Sequence, residues 1–215
     1  MKIEKKHKHL VYRFIKRIMD IIFGLIGTIL LVPISAVLFV VTKLSKKSNG
    51  PLFYDQLRIG QNGKYFKIYK YRTMIVGADK ILEKYLAENE EARKEFEANQ
   101  KLENDPRITP IGKFLRKTSL DEVPQFINVL KGDMSLIGPR PIVDREVPLF
   151  GDKMPIVHSV KPGITGYWAA NGRSNTTYDE RIEMEAYYAE NMSFWLDVKV
   201  FFATIVQVIR KEGAV

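Results

Sequence analysis

The fold of this chain is decided by residues 18–42, IMDIIFGLIGTILLVPISAVLFVVT, an apolar run whose only charge is Asp20. These 25 residues exceed the roughly 20 that an α-helix needs to cross a bilayer. The run is too long for the apolar part of a signal peptide, and no small-residue cleavage site follows it. A buried helix of a soluble protein explains this length less well. The sequence therefore predicts a membrane segment near the N-terminus.

Basic flanks and an internal proline predict that this segment does not cross the membrane. The basic residues are Lys2, Lys5, Lys6, Lys8, Arg13, Lys16 and Arg17 before the run, and Lys43, Lys46 and Lys47 after it. Both flanks are therefore expected in the cytoplasm. Residues 18–32 reach only about 22 Å as a helix, short of a hydrocarbon core of about 30 Å. We predict a re-entrant helix broken at Pro33, in which Thr28 or Ser35 helps to bond the freed backbone groups. The alternative is a helix that crosses the membrane once, with a kink at Pro33.

The composition of the chain excludes several kinds of functional site and limits the choice of partner. The chain has 215 residues, a formal charge of +9, no cysteine and three histidines. Disulfide scaffolds and thiolate chemistry are excluded, and a histidine-rich zinc site or a Ser-His-Asp triad is disfavoured. The positive charge suits an anionic partner, which by charge alone is a nucleic acid, an anionic lipid or a phosphorylated substrate.

The rest of the chain reads as one mostly helical domain with a small β-hairpin. Strands are predicted at 52–59 and 64–72 around the turn Asn62-Gly63. Lys70 and Arg72 lie on one face of the second strand. They are either two cations aimed at one anion or part of an ordinary solvent-exposed strand end. A solvated helix is predicted over 77–103. Residues 194–209 form either an interfacial amphipathic helix anchored by Trp195 and Phe201 or a core helix.

Residues 105–141 carry the candidate chemistry. Ser119-x-x-Glu122 matches a capping box, which predicts a helix that begins near Ser119 with Asp121 in its first turn. Asp121 and Glu122 could hold Mg²⁺ and Arg116 could bind a phosphate, but acidic residues are also common in first turns for dipole reasons alone. Pro139 and Pro141 stiffen the backbone around Arg140 and restrict where its side chain can point. The alternative is a rigid turn with a surface arginine.

Taken together, these motifs resemble those of the small monotopic phosphoglycosyl transferases, bacterial sugar transferases that initiate capsule, exopolysaccharide, O-antigen and protein-glycan assembly. The resemblance extends from about residue 17 to 209. It rests on the segments Arg17-x-x-Asp20 with Pro33, Ile68–Met74, Asp105–Thr109, Arg116–Gln125, Asn128–Pro141, Pro162–Gly166, Asn171–Arg173, and Tyr187-Tyr188 through Leu196-Asp197.

The resemblance implies a site and a topology. It places the family's Asp-Glu dyad at Asp121 and Glu122, with the aspartate as nucleophile and Mg²⁺ as the required cofactor. It also implies that Lys70 is functional, that Arg116 binds phosphate together with a Pro139-Arg140-Pro141 motif, and that a re-entrant helix bends at Pro33. Relatives often have serine before that proline, where this chain has Val32.

The sequence and the resemblance together predict an α/β monotopic membrane protein, with the basic tail and re-entrant helix in 1–47 and a cytosolic catalytic domain in 48–215. Its expected reaction moves a sugar-1-phosphate from a UDP-sugar to polyprenyl (undecaprenyl) phosphate, with release of UMP and an aspartyl intermediate. The expected location is the cytoplasmic face of the bacterial inner membrane, with membrane lipid and no nucleic acid as partner. The sugar and a homo-oligomeric state are left open. The alternative is a non-catalytic membrane-tethered protein that binds anionic lipid.

Overall fold

The computed structural model describes residues 2–45, 50–99, 102–172 and 176–210; Lys46, Lys47 and Arg173 lie outside these ranges. The helices are α1 (Lys2–Leu44), α2 (Ala78–Glu88), α3 (Glu90–Asn99), α4 (Pro110–Lys117), α5 (Gln125–Lys131), α6 (Val147–Phe150), α7 (Met154–Val157), α8 (Tyr167–Asn171), α9 (Tyr178–Asn191) and α10 (Phe194–Arg210). The strands are β1 (Phe53–Ile59), β2 (Tyr65–Tyr71), β3 (Ser135–Ile137) and β4 (Gly163–Thr165). The mostly helical architecture predicted from the sequence is confirmed.

Helix α1 is long and apolar enough from Leu10 to Leu44 to cross a membrane. Helical structure continues through Pro33 to Leu44, so the residues before and after the proline belong to one helix, and the predicted bend at Pro33 stays a prediction. A proline removes one N–H, and a long helix absorbs that loss when neighbouring groups satisfy the freed carbonyls. Ser35 bonds the Tyr71 hydroxyl at 2.6 Å, whereas the buried Thr28 hydroxyl has no hydrogen-bond partner among the described residues.

One face of α1 lies on the remaining body of the protein through polar contacts in its first half. Arg17 donates from its two terminal nitrogens to the carbonyls of Val129 and Leu130, at 2.7 and 2.8 Å, near the end of α5. Cationic donors suit the exposed carbonyls of a helix C-terminus. The buried Asp20 accepts hydrogen bonds from Ser135 Oγ at 2.9 Å and from the Leu136 backbone at 2.8 Å. The helix is therefore fixed in register against α5 and β3.

Beyond these contacts, α1 packs on the body closely enough to require small residues. A Cβ on Gly27 would come within 2.2 Å of the Phe126 ring, and one on Gly24 within 3.0 Å of Leu130. Further along, Leu38 joins a buried cluster with Tyr71 and Leu115. Contacts with the body therefore extend to both sides of Pro33.

The predicted hairpin is confirmed. β1 and β2 pair antiparallel from Phe53 opposite Tyr71 to Ile59 opposite Tyr65, joined by a turn in which Asn62 adopts a positive φ of 56°. Asn128, fully buried on α5, accepts from the Tyr69 backbone N–H at 3.0 Å and donates to the Lys67 carbonyl at 2.7 Å. These two bonds hold β2 against α5.

A second, two-stranded parallel sheet was not predicted from the sequence. β3 and β4 pair Ser135 with Gly163 and Ile137 with Thr165. The two backbones approach so closely at this pairing that a Cβ on Gly163 would lie 2.1 Å from the Gly138 nitrogen. Strands of three residues give too short a pattern to stand out from a loop, which explains the omission.

The single helix predicted over 77–103 is in fact two helices, α2 and α3. They separate at Asn89, whose backbone is extended and whose side chain accepts a hydrogen bond from the Ala92 N–H at 3.0 Å. An asparagine at this position caps the start of α3.

Helix α10 covers the segment predicted either as an interfacial amphipathic helix or as a core helix, and it has features of both. Trp195 is exposed as expected of an interfacial anchor, but Phe201 packs inward, with its ring 5.8 Å from that of Phe23 on α1. The exposed phenylalanines of α10 are Phe194 and Phe202. Because Val200 on α10 is buried in a cluster with Ile137 and Tyr188, the helix has both a core face and an exposed apolar face.

Replacing Arg17 by alanine is expected to lower the melting temperature in detergent by roughly 4–8 °C, because two charge-assisted bonds to carbonyls worth about 2 kcal/mol are lost. Arg13→Ala, on the same helix at an exposed position, is the matched control and should melt like the wild type. Equal melting temperatures for the two variants would contradict the assigned role of Arg17.

Candidate active site

Strand β2 ends at the candidate site and brings Lys70 to the two acidic residues. Its ammonium group lies 2.9 Å from Glu122 Oε1 and 4.0 Å from Asp121 Oδ2. Three of the predicted site residues are therefore in direct ionic contact. The second predicted cation, Arg72, points elsewhere: it donates to the Pro51 carbonyl at 2.9 Å and lies over the Tyr54 ring. Only Lys70 of this pair serves the site.

The two acidic residues lie in a single 3₁₀ turn, Leu120–Glu122, that connects α4 to α5. The capping box predicted at Ser119 is wrong, because Ser119 has a left-handed backbone (φ 55°) and its side chain makes no capping bond. Pro124 precedes the first turn of α5, where a proline is well tolerated, so the longer helix begins after the dyad rather than before it. A left-handed non-glycine residue is uncommon, and its place beside two acids is typical of a functional turn.

Asp121 is buried, and burial raises its pKa to about 6. Lys70 acts in the opposite direction and lowers this pKa, the neighbouring Glu122 raises it, and Arg116 lowers it. The carboxylate is thus ionised above about pH 6 while poorly hydrated, which is a favourable state for a nucleophile or for binding a cation.

Arg116 occupies the last turn of α4, whose start is capped by Thr109. Its Nε donates to Thr73 Oγ1 at 3.1 Å, and its terminal nitrogens have no acceptor among the described residues. Burial lowers the pKa of Arg116, while Asp121 is the first of two carboxylates that raise it. The guanidinium therefore lies near the dyad with donors available for an anion.

The Pro139-Arg140-Pro141 segment follows β3 and is held through its backbone. The Arg140 N–H donates to Glu185 Oε1 at 3.0 Å, while its exposed guanidinium lies 5.9 Å from the centre of the Trp168 ring. The Pro139 carbonyl accepts from Gly163, and the Pro141 carbonyl accepts from Arg58. Because the charge of Arg140 contributes to lowering the pKa of Arg116, the two arginines belong to one electrostatic environment.

A buried ionic network near this segment was not predicted from the sequence. Arg181 on α9 pairs with Glu146 at 3.0 Å and lies over the rings of Trp168 and Tyr178. Glu185, one helical turn later and fully buried, has one oxygen without a hydrogen-bond partner among the described residues, and burial raises its pKa to about 7. The spacing of Arg181 and Glu185 in a charged helix looks like an ordinary surface pair, so only the fold reveals their burial.

The donor set at the dyad fits the magnesium ion that the resemblance implies. Mg²⁺ is commonly held by one or two carboxylates together with substrate phosphates and water, and Asp121 and Glu122 supply two carboxylates. Burial raises the pKa of Asp121 by more than Lys70 and Arg116 lower it, so a further cation beside this carboxylate would be electrostatically favourable. No group of three or more metal-ligating side chains occurs in the described part of the chain.

Comparison with known proteins identifies the family of this chain. The family model for bacterial sugar transferases matches residues 11–211. The chain belongs to the bacterial sugar transferase family. It is 43% identical over 202 residues to an undecaprenyl-phosphate galactose phosphotransferase of Salmonella typhimurium, covering 94% of this chain and 42% of that protein. It is 37% identical over 199 residues to the exopolysaccharide production protein ExoY of Rhizobium meliloti, covering 93% of this chain and 87% of that protein.

A third bacterial sugar transferase carries a different sugar in its name. The chain is 40% identical to a UDP-N-acetylgalactosamine-undecaprenyl-phosphate N-acetylgalactosaminephosphotransferase of Aeromonas hydrophila, covering 95% of this chain and 46% of that protein. The chain thus spans less than half the length of two of these three relatives. Similar identities to relatives named for galactose and for N-acetylgalactosamine do not select a sugar for this chain.

The charge balance at Asp121 predicts a pH effect of Lys70. Because Lys70 lowers the pKa of Asp121, Lys70→Met should raise it further. A reaction that needs the Asp121 carboxylate loses rate as pH falls through about 6, so the acidic limb of the pH–rate profile should move to higher pH in the variant. Lys67→Met, an exposed lysine on the same strand that pairs with Asp55, is the control. An unshifted limb in Lys70→Met would contradict the assignment.

Proposed function

We propose that this bacterial sugar transferase moves a sugar-1-phosphate from a UDP-sugar to polyprenyl phosphate and releases UMP. The observation that carries the proposal is the buried Asp121, with Lys70 and Glu122 on one side and Arg116 nearby. The names of relatives support the class of reaction, since they describe undecaprenyl-phosphate sugar phosphotransferases.

The first step uses Asp121 as a nucleophile. An oxygen of its carboxylate attacks the β-phosphorus of the UDP-sugar, and the bond from that phosphorus to the oxygen bridging to the α-phosphate breaks. UMP leaves with the bridging oxygen and its electron pair, and the sugar phosphate remains on Asp121 as an acyl phosphate. Aspartyl-phosphate enzymes form the same kind of intermediate.

The surrounding cations compensate the charge that gathers in this step. Arg116 can donate its unpaired terminal nitrogens to phosphate oxygens, and Arg140 presents an exposed guanidinium from a rigid Pro-Arg-Pro backbone. Lys70 keeps the dyad ionised and oriented through its ion pair with Glu122. A magnesium ion held by Asp121 and Glu122 would neutralise phosphate charge when bound.

The second step returns the enzyme to its starting state. A phosphate oxygen of the polyprenyl phosphate attacks the phosphorus on Asp121, the acyl phosphate bond breaks, and Asp121 leaves as a carboxylate. The product is a diphosphate-linked lipid sugar. Because the attacking oxygen is already anionic, the reaction requires no strong general base, in keeping with a chain that has only three histidines.

The packing of α1 supports a monotopic placement at the cytoplasmic face of the inner membrane. Asp20 before Pro33 and Leu38 after it both contact the same body of the protein. A straight crossing would carry that body, with its polar surface, into the hydrocarbon core. A helix that enters and returns keeps the body at the membrane surface, where UDP-sugars and the lipid carrier are both accessible.

The function is tested by offering a panel of UDP-sugars with polyprenyl phosphate and Mg²⁺ and measuring UMP release. Asp121→Asn keeps the size of the side chain and removes its charge, so UMP release should fall about a thousandfold or more while the melting temperature is nearly kept. Asp152→Asn, at an exposed position, should behave like the wild type. Wild-type UMP release by a folded Asp121→Asn protein would rule out this residue as the nucleophile.

The topology is tested with single cysteines, since the chain has none of its own. Lys5→Cys and Ser45→Cys lie on opposite sides of the apolar run. In intact cells both should resist an impermeant thiol reagent, and after lysis both should react. Labelling of just one of the two in intact cells would mean that the helix crosses the membrane.

A further inference from the structure

One apolar cluster joins the second half of α1 to the sequence neighbours of the catalytic residues. Its buried members are Leu38, Tyr71 and Leu115, and around them pack Leu31, Ile34, Leu52, Ile111, Leu120 and Val123. Tyr71 directly follows Lys70, Leu115 directly precedes Arg116, and Leu120 directly precedes Asp121. In each of these three segments, one residue therefore belongs to the candidate site and its neighbour packs in the cluster with α1.

Tyr71 makes the polar contact within this otherwise apolar cluster. Its side chain is 1% exposed, and its ring stacks on Phe53 with centroids 5.3 Å apart. Its hydroxyl lies 2.6 Å from Ser35 Oγ and donates to the Leu31 carbonyl at 3.3 Å. A phenol has one proton, so Ser35 donates to Tyr71 when Tyr71 donates to Leu31.

These two contacts fall on either side of Pro33. A proline at this position removes the N–H that would bond the carbonyl four residues earlier, and its ring crowds that turn, which weakens the helix locally. Val32, the residue before the proline, has no polar group that could compensate. The Tyr71 hydroxyl does not replace the lost bond, because the carbonyl that Pro33 leaves free is that of Ile29, but it ties the residues on both sides of Pro33 to strand β2.

We infer that Tyr71 is a positioning residue: its hydroxyl, bonded to Ser35 and Leu31, fixes the proline turn of α1 and thereby the depth of the Lys70–Asp121 site relative to the membrane. Successive residues of a strand point to opposite faces, so Lys70 reaches the dyad while Tyr71 reaches the helix. A shift of α1 in the bilayer is then transmitted to the dyad through one rigid strand. This inference rests on the proposed function, because a lipid-borne substrate is what makes the depth of the site matter.

The test compares three single hydroxyl deletions in phospholipid vesicles. Tyr71→Phe keeps the ring and its stacking, Ser35→Ala removes the other half of the contact, and Tyr69→Phe is the control on the same strand, since that hydroxyl contacts Lys131 instead of α1. A nitroxide on a single cysteine at the exposed Lys117, next to Arg116, reports depth through its accessibility to oxygen and to a water-soluble nickel chelate. The KM for polyprenyl phosphate and the release of UMP without acceptor are measured on the same proteins.

Tyr71→Phe and Ser35→Ala should both change the nitroxide depth and raise the KM for polyprenyl phosphate about fivefold, while UMP release without acceptor stays within about twofold of wild type. The double variant should resemble either single variant, because both remove one shared contact. Wild-type depth and KM in Tyr71→Phe would overturn the inference, as would an equal loss in both half-reactions. An inactive wild type would refute the proposed function, and the depth measurement would still decide whether Tyr71 positions the helix.

Discussion

The lengthwise docking of α1 on the body is the constraint on which the remaining structure depends. Polar contacts help to fix the register of such an apolar helix on the surface of the body. Arg17 on the end of α5 and Asp20 on the start of β3 make these contacts, because an ionised side chain on a membrane helix is costly unless it is bonded. β3 leads directly into the Pro-Arg-Pro segment, and α5 follows the dyad turn. The two elements that hold the helix therefore also carry the site.

The site itself is a balance of charges in a poorly hydrated place. Lys70 in direct contact and Arg116 nearby lower the pKa of Asp121, whereas burial and the adjacent Glu122 raise it, and burial is the largest of these effects. An additional cation, or a phosphate that engages the arginines, would shift this balance. Preorganised charge of this kind is the usual means by which enzymes stabilise phosphoryl transfer.

Much of this arrangement could be predicted from the sequence, and the exceptions have physical causes. The hairpin followed from Asn62-Gly63 and alternating strands. The candidate site residues came from the family resemblance, and the structure brings Lys70, Asp121 and Glu122 together, while their roles stay predictions. The capping box at Ser119 failed because Pro124 delays the helix beyond the dyad. The contact between Ser35 on α1 and Tyr71 could not be predicted, because the two residues are distant in sequence. Local patterns report local preferences, whereas burial of Glu185 and the direction of Arg72 depend on contacts that only the fold creates.

The central claim is that Asp121 carries the sugar phosphate between donor and acceptor. Its most direct test is mass spectrometry of the wild-type protein after incubation with a UDP-sugar and Mg²⁺ in the absence of polyprenyl phosphate. We expect the peptide that contains Asp121 to gain the mass of the sugar phosphate, and that added mass should disappear when polyprenyl phosphate is supplied. Release of UMP with transfer to the lipid but without an adduct, or an adduct on a different residue, would contradict the account.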